Sequence, residues 1–330
     1  MKKILEQLFQ YQHLSSEQSR DVLIRIADGQ YNEPQIAAFM TTFIMRPPTV
    51  EELSGFRDAL LELSMPLKLE SSPAIDLCGT GGDGKNTFNI STLTAFVVAG
   101  AGQKVIKHGN YGVSSVSGSS NVLEALGYRF TNQQVPLQKQ LDQAGICFLH
   151  APLFHPAMKT VAPVRAALGV KTFFNMLGPL VNPARPKYQL TGVFNLETAR
   201  KYQYVFQANK QEASIVYSLD GHDECTLTAD TRVLKTQHEL LLSASDFGLV
   251  ENSVEAIEGG KNIKEAADLF LKILEGKGTQ PQQNTIIANA ALALQYYYQE
   301  SLIDSVLRAK ESLQSKKALN TFKNLLQLNA

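Results

Sequence analysis

The sequence DLCGTGGDGKNTFNIST, from Asp76 to Thr92, is the segment around which the rest of the chain is arranged. It places four glycines between a short apolar run and a predicted helix start; these glycines are Gly79, Gly81, Gly82 and Gly84. Glycine tolerates positive φ and leaves its backbone N–H accessible, while Asn89, Ser91 and Thr92 have side chains of the type that caps a helix N-terminus. A glycine loop that leads into a helix N-terminus is suited to binding a phosphate group.

This loop matches neither of the two common phosphate-binding patterns. GTGGDG lacks the Gly-Lys-Ser/Thr ending of a P-loop, and its glycines do not follow the G-x-G-x-x-G spacing. The alternative is a glycine-rich turn that joins a strand to a helix and binds nothing. Asp83 inside the loop, and the hydroxyl and amide residues behind it, favour phosphate, but these residues alone leave both interpretations open.

The composition is that of a globular protein without a strong electric field. The chain has 330 residues, of which 44% are hydrophobic, and its 31 Lys and Arg residues equal its 31 Asp and Glu residues. A balanced charge predicts no nucleic-acid partner and no attraction to an anionic membrane surface. Binding of a polyanion would therefore depend on a local site.

The three cysteines favour a reducing compartment. Cys78, Cys147 and Cys225 lie far apart, form no C-x-x-C motif and have apolar neighbours. The N-terminus reads as an amphipathic helix, and no apolar run approaches the roughly 18 residues of a membrane span. We therefore expect a cytoplasmic protein with no export signal and no membrane anchor.

Residues 1–66 predict a small helical domain. Ser15 with Gln18, and Thr49 with Glu52, have the spacing of capping boxes, and Asn32 can cap a helix between them. The polar, proline-containing segment 67–74 follows and is predicted to be a linker.

From residue 74 to residue 330, the pattern predicts a large α/β domain. Short apolar runs such as AIDLCG, KVIKHGN, ICFLHAP, YQLTGVF and EASIVYSL alternate with helical stretches. The segments ECTLTAD, TRVLKT and HELLLSA predict antiparallel strands after them. Four helices are expected to complete the chain.

The motif KHGN, from Lys107 to Asn110, ends one of the predicted strands, where open α/β sheets bind ligands. Lys107 could meet a phosphate as a point charge, and Asn110 could both donate and accept hydrogen bonds to a substrate. For His108 alone, the alternative is a histidine that forms its hydrogen bonds within a turn.

The sequence DGHDE, from Asp220 to Glu224, ends another predicted strand and carries three carboxylates. Mg²⁺ is commonly held by one or two carboxylates together with water and the oxygens of a substrate phosphate. The alternative is a solvated acidic turn, which a phosphate loop elsewhere in the chain makes less favoured. Histidines and cysteines do not cluster with the spacing of a zinc site.

Arg165 and the serines of residues 114–120 are two further candidates for chemistry. Arg165 lies among apolar neighbours in APVRAALG, where its planar guanidinium could bind a carboxylate, although a surface arginine or an ion-pair partner is the more ordinary interpretation. No G-x-S-x-G motif occurs, and the serines of residues 114–120 have no evident base, so Ser-His-Asp hydrolysis is not predicted.

Taken together, these motifs closely resemble the anthranilate phosphoribosyltransferase family of tryptophan biosynthesis. GTGGDG…TFNIST, KHGN, the SS-x-SG loop before VLEALG, VR…FNMLGPL-x-NPA and the DE pair occur in the family's order and spacing, over essentially the whole chain. The resemblance implies a small helical domain hinged to a large α/β domain with a mostly parallel sheet. It also implies a homodimer that joins anthranilate to phosphoribosyl pyrophosphate (PRPP) with Mg²⁺, and it places residues 156–185 with the small domain.

The resemblance further implies roles for individual residues. The PRPP-binding residues would be Gly79, Gly82, Asp83, Thr87, Asn89, Ser91, Thr92, Lys107 and Ser119. The anthranilate-binding residues would be Gly79, His108, Asn110 and Arg165. Ser91, Asp223 and Glu224 would bind the metal, and Lys107, Asp223 and Glu224 would be catalytic.

Three positions depart from the usual family pattern. Tyr111 stands where the family usually has Arg, Val116 where it usually has a basic residue, and Asn121 where it often has Asp. The loop between KHGN and VLEALG therefore lacks two positive charges and one negative charge. We interpret this as variation within the family, because the glycine loop, KHGN and the acidic pair are intact.

Two other functions are compatible with parts of this pattern. A pyrimidine nucleoside phosphorylase would resemble the family in fold, but the DE pair and the full FNMLGPL segment argue against it. A relative that has lost catalysis and binds nucleic acid is disfavoured by the balanced charge and the complete GTGGD and DE motifs.

Overall fold

The structure is a computed structural model that describes residues 1–70, 73–112 and 116–329. The chain forms two compact units, the first made of Met1–Leu67 with Ala151–Arg185 and the second of Lys68–His150 with Pro186–Ala330. Residues 71–72 of the predicted linker and residues 113–115 of the predicted serine-rich loop lie outside the described residues.

The first unit is helical. Its helices are α1 (Lys2–Phe9), α2 (Ser16–Ala27), α3 (Glu33–Met45), α4 (Val50–Glu62), α8 (Ala151–Phe154) and α9 (Met158–Leu168), numbered along the whole chain. The capping boxes predicted at Ser15 and Thr49 are confirmed, and Asn32 caps α3 through a third capping box with Gln35. The local start signals in this part of the chain therefore specify where its helices begin.

An aromatic cluster fills the interior of the first unit. Phe39, Phe43 and Phe56 from α3 and α4 make edge contacts with one another, and Phe56 and Phe173 lie with ring centroids 4.4 Å apart. Phe173 belongs to the short 3₁₀ helix Phe173–Met176, which a second one, Gly178–Leu180, follows. Pro179 explains why the chain does not continue as a regular helix here.

The second unit is built on a seven-stranded sheet with the order β3-β2-β1-β4-β5-β6-β7. The strands are β1 (Ile75–Leu77), β2 (Val105–Gly109), β3 (Ile146–His150), β4 (Tyr188–Gly192), β5 (Glu212–Ser218), β6 (Thr231–Lys235) and β7 (Glu239–Leu242). The first five are parallel and the last two antiparallel. The predicted combination of a helical domain with a mostly parallel α/β domain is confirmed.

Eight α-helices and the two 3₁₀ helices Ala244–Phe247 and Val254–Ile257 accompany this sheet in the described part of the second unit. The α-helices are α5 (Ile90–Gly100), α6 (Ser119–Ala125), α7 (Gln134–Gln143), α10 (Leu196–Ala208), α11 (Ile263–Leu274), α12 (Gln280–Tyr298), α13 (Leu302–Gln314) and α14 (Lys317–Asn329). The unit's hydrophobic core includes most of α5 and the middle of α12 together with Ile75 and Leu77 of β1 and Val105 of β2. Both helices are apolar around most of their circumference, as expected for helices buried on several sides.

One predicted strand is wrong. Residues 225–229 of ECTLTAD form turns and irregular backbone between β5 and β6, and Leu227 has a φ of 60°. A branched apolar residue in the left-handed region cannot continue a strand. Side chains from other elements, described below, form hydrogen bonds with the backbone of Cys225 and Thr226, and Leu227 O accepts one of 2.9 Å from Asn252 N.

No helix in the described residues is long and apolar enough to cross a membrane.

Candidate active site

The glycine loop, KHGN and the acidic segment of the second unit all lie at the carboxyl ends of strands in its sheet. The chain runs from β1 outward to β2 and β3 and then returns to place β4 on the other side of β1. Such a reversal of strand order opens a crevice at the carboxyl ends of the strands. The glycine loop follows β1, KHGN ends at the tip of β2, and the acidic segment follows β5.

The glycine loop runs along the end of β4. Cys78 N donates a hydrogen bond of 3.2 Å to Leu190 O, and Thr80 N donates one of 2.9 Å to Gly192 O. Gly81 and Gly82 have φ angles of 62° and 80°. These conformations favour glycine, so at these two positions the backbone itself explains the residue type.

Asp223 is bonded directly to this loop. Gly81 N donates a hydrogen bond of 2.7 Å to Asp223 Oδ2, across 142 residues of sequence. A Cβ at Gly79 would lie 2.8 Å from the same oxygen, and one at Gly192 would lie 1.6 Å from Asp223 O. Gly79 and Gly192 therefore leave the space that Asp223 occupies. Sequence reasoning did not select Gly192, although a glycine that ends a strand was an available signal.

Glu224 is bonded to the first turn of α5. Ser91 N donates a hydrogen bond of 2.9 Å to Glu224 Oε1. The predicted capping role of Asn89 is wrong, because its side chain makes no cap hydrogen bond and instead donates to Ser117 O at 3.0 Å. A carboxylate from a distant loop thus takes the place of a local cap, which the positive end of the helix dipole favours.

Lys107 contacts both the end of β1 and the start of α5. It points inward from β2 with only 2% of its surface exposed. Its Nζ donates a hydrogen bond to Leu77 O and lies 3.4 Å from Ser91 Oγ. A buried ammonium group with these partners places one positive charge beside the start of α5.

The two carboxylates are unusually basic for their residue types. Burial, followed by the charge of Asp83, raises the pKa of Asp223 to about 7, while the hydrogen bond from Gly81 opposes this shift. Burial and the charges of Asp223 and Asp83 raise the pKa of Glu224 well above its ordinary value. A cation bound here would offset both effects, so the donor set fits a divalent ion.

The raised pKa of Asp223 predicts a specific pH dependence of the metal-free protein. Because the folded state holds this proton more tightly than the unfolded chain, its contribution to stability is present at low pH and is lost as the pH rises through about 7. We expect the free energy of unfolding to fall more steeply with pH in the parent protein than in Asp223→Asn, from about pH 4 to about pH 7. Urea titrations at several pH values measure this, and equal slopes for the two proteins would contradict it.

The residues of KHGN that were predicted to bind substrate form hydrogen bonds with neighbouring elements. His108 is buried, and its backbone N–H donates a hydrogen bond of 3.1 Å to Asp76 Oδ1. Asn110 is exposed, and its backbone oxygen accepts hydrogen bonds from Ser120 N at 3.2 Å and Ser119 Oγ at 3.3 Å. Ser119, at the start of α6, is therefore brought against the end of β2.

The residues that depart from the family pattern make contacts of their own. Asn121 Oδ1 accepts hydrogen bonds from Gly112 N at 2.9 Å and Gly118 N at 3.0 Å. The Tyr111 hydroxyl donates a hydrogen bond of 2.8 Å to Glu124 Oε1. Val116 is exposed. Tyr111 and Asn121 thus fasten the described ends of this loop to α6.

One serine of the loop does have a base beside it, contrary to expectation. Ser120 Oγ lies 2.9 Å from His150 Nδ1. Both side chains are buried, and the His150 ring stacks on Phe130 at 4.5 Å with Tyr111 against it edge-on at 4.7 Å. A buried pair enclosed by aromatic rings stabilises the packing of α6 on β3 and gives no open hydrolytic site.

The remaining predicted residues are placed as follows. Thr87 forms an isolated bridge with Glu258, and Thr92 is buried in the first turn of α5. Arg165 belongs to the first unit, where its guanidinium carbon lies 5.4 Å from the Phe174 ring centroid and Nη2 lies 3.5 Å from Asn175 Oδ1. Burial lowers the pKa of Arg165 from its ordinary value, as expected for a cation largely removed from water.

Within the described residues, no group of three or more His, Cys, Asp or Glu side chains is arranged to hold a metal ion. A cation at Asp223 and Glu224 would therefore need oxygens from a bound substrate to complete its coordination. The three cysteines are free, with Cys147 and Cys225 buried.

The fold, and the site at the carboxyl ends of the strands, are those of a class of glycosyl transferases. Residues 71–319 match the family described as "Glycosyl transferase family, a/b domain", and residues 2–64 match "Glycosyl transferase family, helical bundle domain". The chain is thus built from the paired domains of this glycosyl transferase class.

Comparison with individual proteins narrows the class. The anthranilate phosphoribosyltransferase of Flavobacterium psychrophilum is 55% identical over 329 residues, with 100% of both chains covered. The crystal structure of anthranilate phosphoribosyltransferase from Thermus thermophilus matches with a TM-score of 0.92 at 32% identity, covering 98% of each chain. The Saccharomyces cerevisiae enzyme in complex with PRPP and Mg matches with a TM-score of 0.91 at 28% identity, covering 98% of this chain and 96% of that one. The chain belongs to the anthranilate phosphoribosyltransferase family.

Proposed function

We propose that the protein transfers the phosphoribosyl group of PRPP to the amine of anthranilate, with release of pyrophosphate, in tryptophan biosynthesis. The observation that carries this proposal is the direct bonding of the Asp223–Glu224 pair to the glycine loop at Gly81 and to the start of α5 at Ser91. Backbone donors, a buried lysine and two carboxylates thereby share one edge of the sheet. This combination suits a polyphosphate bound together with a cation.

The glycine loop and the start of α5 are assigned to the phosphates of PRPP. The residues proposed to bind PRPP are Gly79, Gly82, Asp83, Thr87, Asn89, Ser91, Thr92, Lys107 and Ser119. The backbone N–H groups of glycines with positive φ and the N-terminus of a helix both attract anions, and neither requires a charged side chain.

Mg²⁺ is the proposed cofactor, and Ser91, Asp223 and Glu224 are its proposed ligands. Two carboxylates and a hydroxyl match the hard oxygen donors that Mg²⁺ prefers alongside the oxygens of a phosphate substrate. When bound, this ion would stabilise the negative charge of the departing pyrophosphate. The relative from Saccharomyces cerevisiae in complex with PRPP and Mg supports the choice of Mg²⁺ as cofactor.

The chain's own groups are proposed to act by position and charge. Lys107 is fixed by Leu77 O and lies near Ser91, so its ammonium group can stabilise charge that develops on the leaving group. Anthranilate is a weak aromatic amine nucleophile. We therefore assign most of the rate enhancement to leaving-group stabilisation and orientation, and little to a general base.

Anthranilate is assigned to Gly79, His108, Asn110 and Arg165. Asn110 is exposed at the tip of β2, where its amide can bind the substrate amine. The guanidinium of Arg165 presents a planar pair of donors that matches a carboxylate.

The assignment of Arg165 predicts a selective kinetic change. Arg165→Ala is expected to raise the KM for anthranilate about 100-fold while changing the KM for PRPP by less than about threefold, because only one substrate carries the carboxylate. Steady-state kinetics with each substrate varied in turn measure this. Arg25→Ala, at an exposed arginine of α2, is the matched control, and equal effects of Arg165→Ala on both KM values would contradict the assignment.

The proposed function is tested by following the fluorescence of anthranilate. The purified protein should deplete this fluorescence when PRPP and Mg²⁺ are both present, and not when either is omitted. Phosphorolysis of thymidine or uridine without Mg²⁺, in place of this activity, would overturn the proposal in favour of a nucleoside phosphorylase.

A homodimer is proposed from the family membership. Helices α1 and α3 pack together, and the exposed side chains of Phe9, Ile44 and Met45 lie on them with Tyr11 just after α1. Exposed apolar groups of this kind are candidates for a subunit contact. Sedimentation equilibrium distinguishes the dimer from a monomer, and a monomer at micromolar concentration would contradict the proposal.

A further inference from the structure

Helix α12 carries one buried amide in an otherwise apolar stretch. Asn289 has 4% of its surface exposed, and its neighbours along the helix from Ile286 to Leu294 are all buried and apolar. A buried amide without hydrogen bonds would cost stability relative to an apolar side chain. The contacts of Asn289 therefore indicate why this position is polar.

Asn289 binds both backbone groups of one distant residue. Its Oδ1 accepts a hydrogen bond of 3.2 Å from Cys225 N, and its Nδ2 donates one of 2.7 Å to Cys225 O. Nδ2 also donates to Thr285 O at 2.8 Å, within the same helix. The side-chain amide pairs with the Cys225 backbone as a neighbouring strand would, from 64 residues away.

Cys225 directly follows the acidic pair, in the irregular segment between β5 and β6. Thr226 O beyond it accepts hydrogen bonds from Asn252 Nδ2 at 2.9 Å and Thr285 Oγ1 at 3.3 Å. Because residues 225–229 are not part of a strand, side chains supply these hydrogen bonds. The position of Glu224 relative to α5 is therefore tied to the side chains of Asn289 and Thr285 in α12 and of Asn252, which precedes α11.

We propose that Asn289 is a positioning residue for the metal-binding carboxylates. Its double hydrogen bond fixes Cys225 and so sets the backbone from which Glu224 reaches Ser91 N and Asp223 reaches Gly81 N. This inference rests on the proposed function, in which these two carboxylates hold a divalent ion with PRPP. Asn289 itself touches neither the ion nor the substrate.

The test compares metal binding by two leucine variants of the same helix. Asn289→Leu removes both hydrogen bonds to Cys225 at similar side-chain volume. Asn284→Leu is the matched control, because Asn284 is equally buried and its side chain accepts a hydrogen bond of 2.7 Å from Gln280 within α12. Circular dichroism establishes that each variant is folded, and Asn289→Thr replaces Asn289→Leu if the leucine variant does not fold.

Mn²⁺ binding in the presence of PRPP is measured by electron paramagnetic resonance, which does not depend on turnover. We expect Asn289→Leu to weaken Mn²⁺ binding about tenfold, with Asn284→Leu within about twofold of the parent protein. The KM for anthranilate should stay within about twofold of the parent value in both variants. A merely structural role would lower the unfolding midpoint without this selective loss of metal affinity.

Two results would overturn the inference in distinguishable ways. Binding of Mn²⁺ by folded Asn289→Leu with the parent affinity would overturn it while leaving the proposed function intact. Failure of the parent protein itself to bind Mn²⁺ with PRPP would overturn the proposed role of the carboxylates, and the inference with it.

Discussion

The double variant Asp223→Asn, Glu224→Gln is expected to be folded and to lose at least about 1,000-fold in phosphoribosyl transfer. Each amide keeps an oxygen that can accept the existing hydrogen bond, from Gly81 N at residue 223 and from Ser91 N at residue 224. The loop and the start of α5 should therefore remain in place. The two negative charges that the proposed cation requires are removed.

The measurement is turnover of anthranilate as a function of Mg²⁺ concentration, combined with the urea unfolding midpoint. Asp142→Asn serves as the control, because it neutralises a carboxylate of the same unit that is half-exposed and paired with Lys104 at 3.0 Å. Neutralising this surface pair should change activity and stability little. Mg²⁺-dependent turnover by the double variant at a rate near that of the parent would refute the assignment of these carboxylates.

Gly192→Ala is expected to destabilise the second unit by about 3 kcal/mol or more and to abolish metal binding. The added Cβ would lie 1.6 Å from Asp223 O and 3.7 Å from Gly79 Cα. Both of these are backbone atoms, so no side-chain rotation relieves the contact. The segment that carries Asp223 would have to move away from the glycine loop.

A second glycine gives a graded comparison for this prediction. Gly79→Ala would place its Cβ 2.8 Å from Asp223 Oδ2, a side-chain atom that can rotate away. We expect Gly79→Ala to reduce Mn²⁺ binding with PRPP while changing the unfolding midpoint less than Gly192→Ala. Gly178→Ala, where an added Cβ has nothing within 4 Å, is the control for stability. An unfolding midpoint of Gly192→Ala equal to that of Gly178→Ala would contradict the expected clash.

The local signals of the sequence predicted the elements well. Ser15 and Thr49 mark helix starts because an N-cap and its N3 partner lie three residues apart, so no distant contact is needed. The alternation of short apolar runs with helical stretches indicated the α/β sheet for the same reason. Family membership was also evident from the order of the motifs, which comparison with known relatives confirms.

Local signals failed where a distant group replaced a local partner. Asn89 has the residue type and position of an N-cap, yet Glu224 bonds the first turn of α5 and the Asn89 amide bonds Ser117 O. ECTLTAD has the composition of a strand, but side chains of Asn289, Asn252 and Thr285 bind the backbone of its second and third residues. In both cases, a tertiary contact outweighed local propensity.

Local sequence patterns were enough to predict the helix starts at Ser15 and Thr49, the strands of the parallel sheet, the glycine loop and the family to which the chain belongs. Each of these depends on residues a few positions apart or on the order of motifs along the chain. Only the tertiary structure decided that Asp223 meets Gly81 and that Glu224 meets Ser91, across 142 and 133 residues. The physical reason is that strand order brings the ends of β1, β4 and β5 to one edge, and no local rule contains that information.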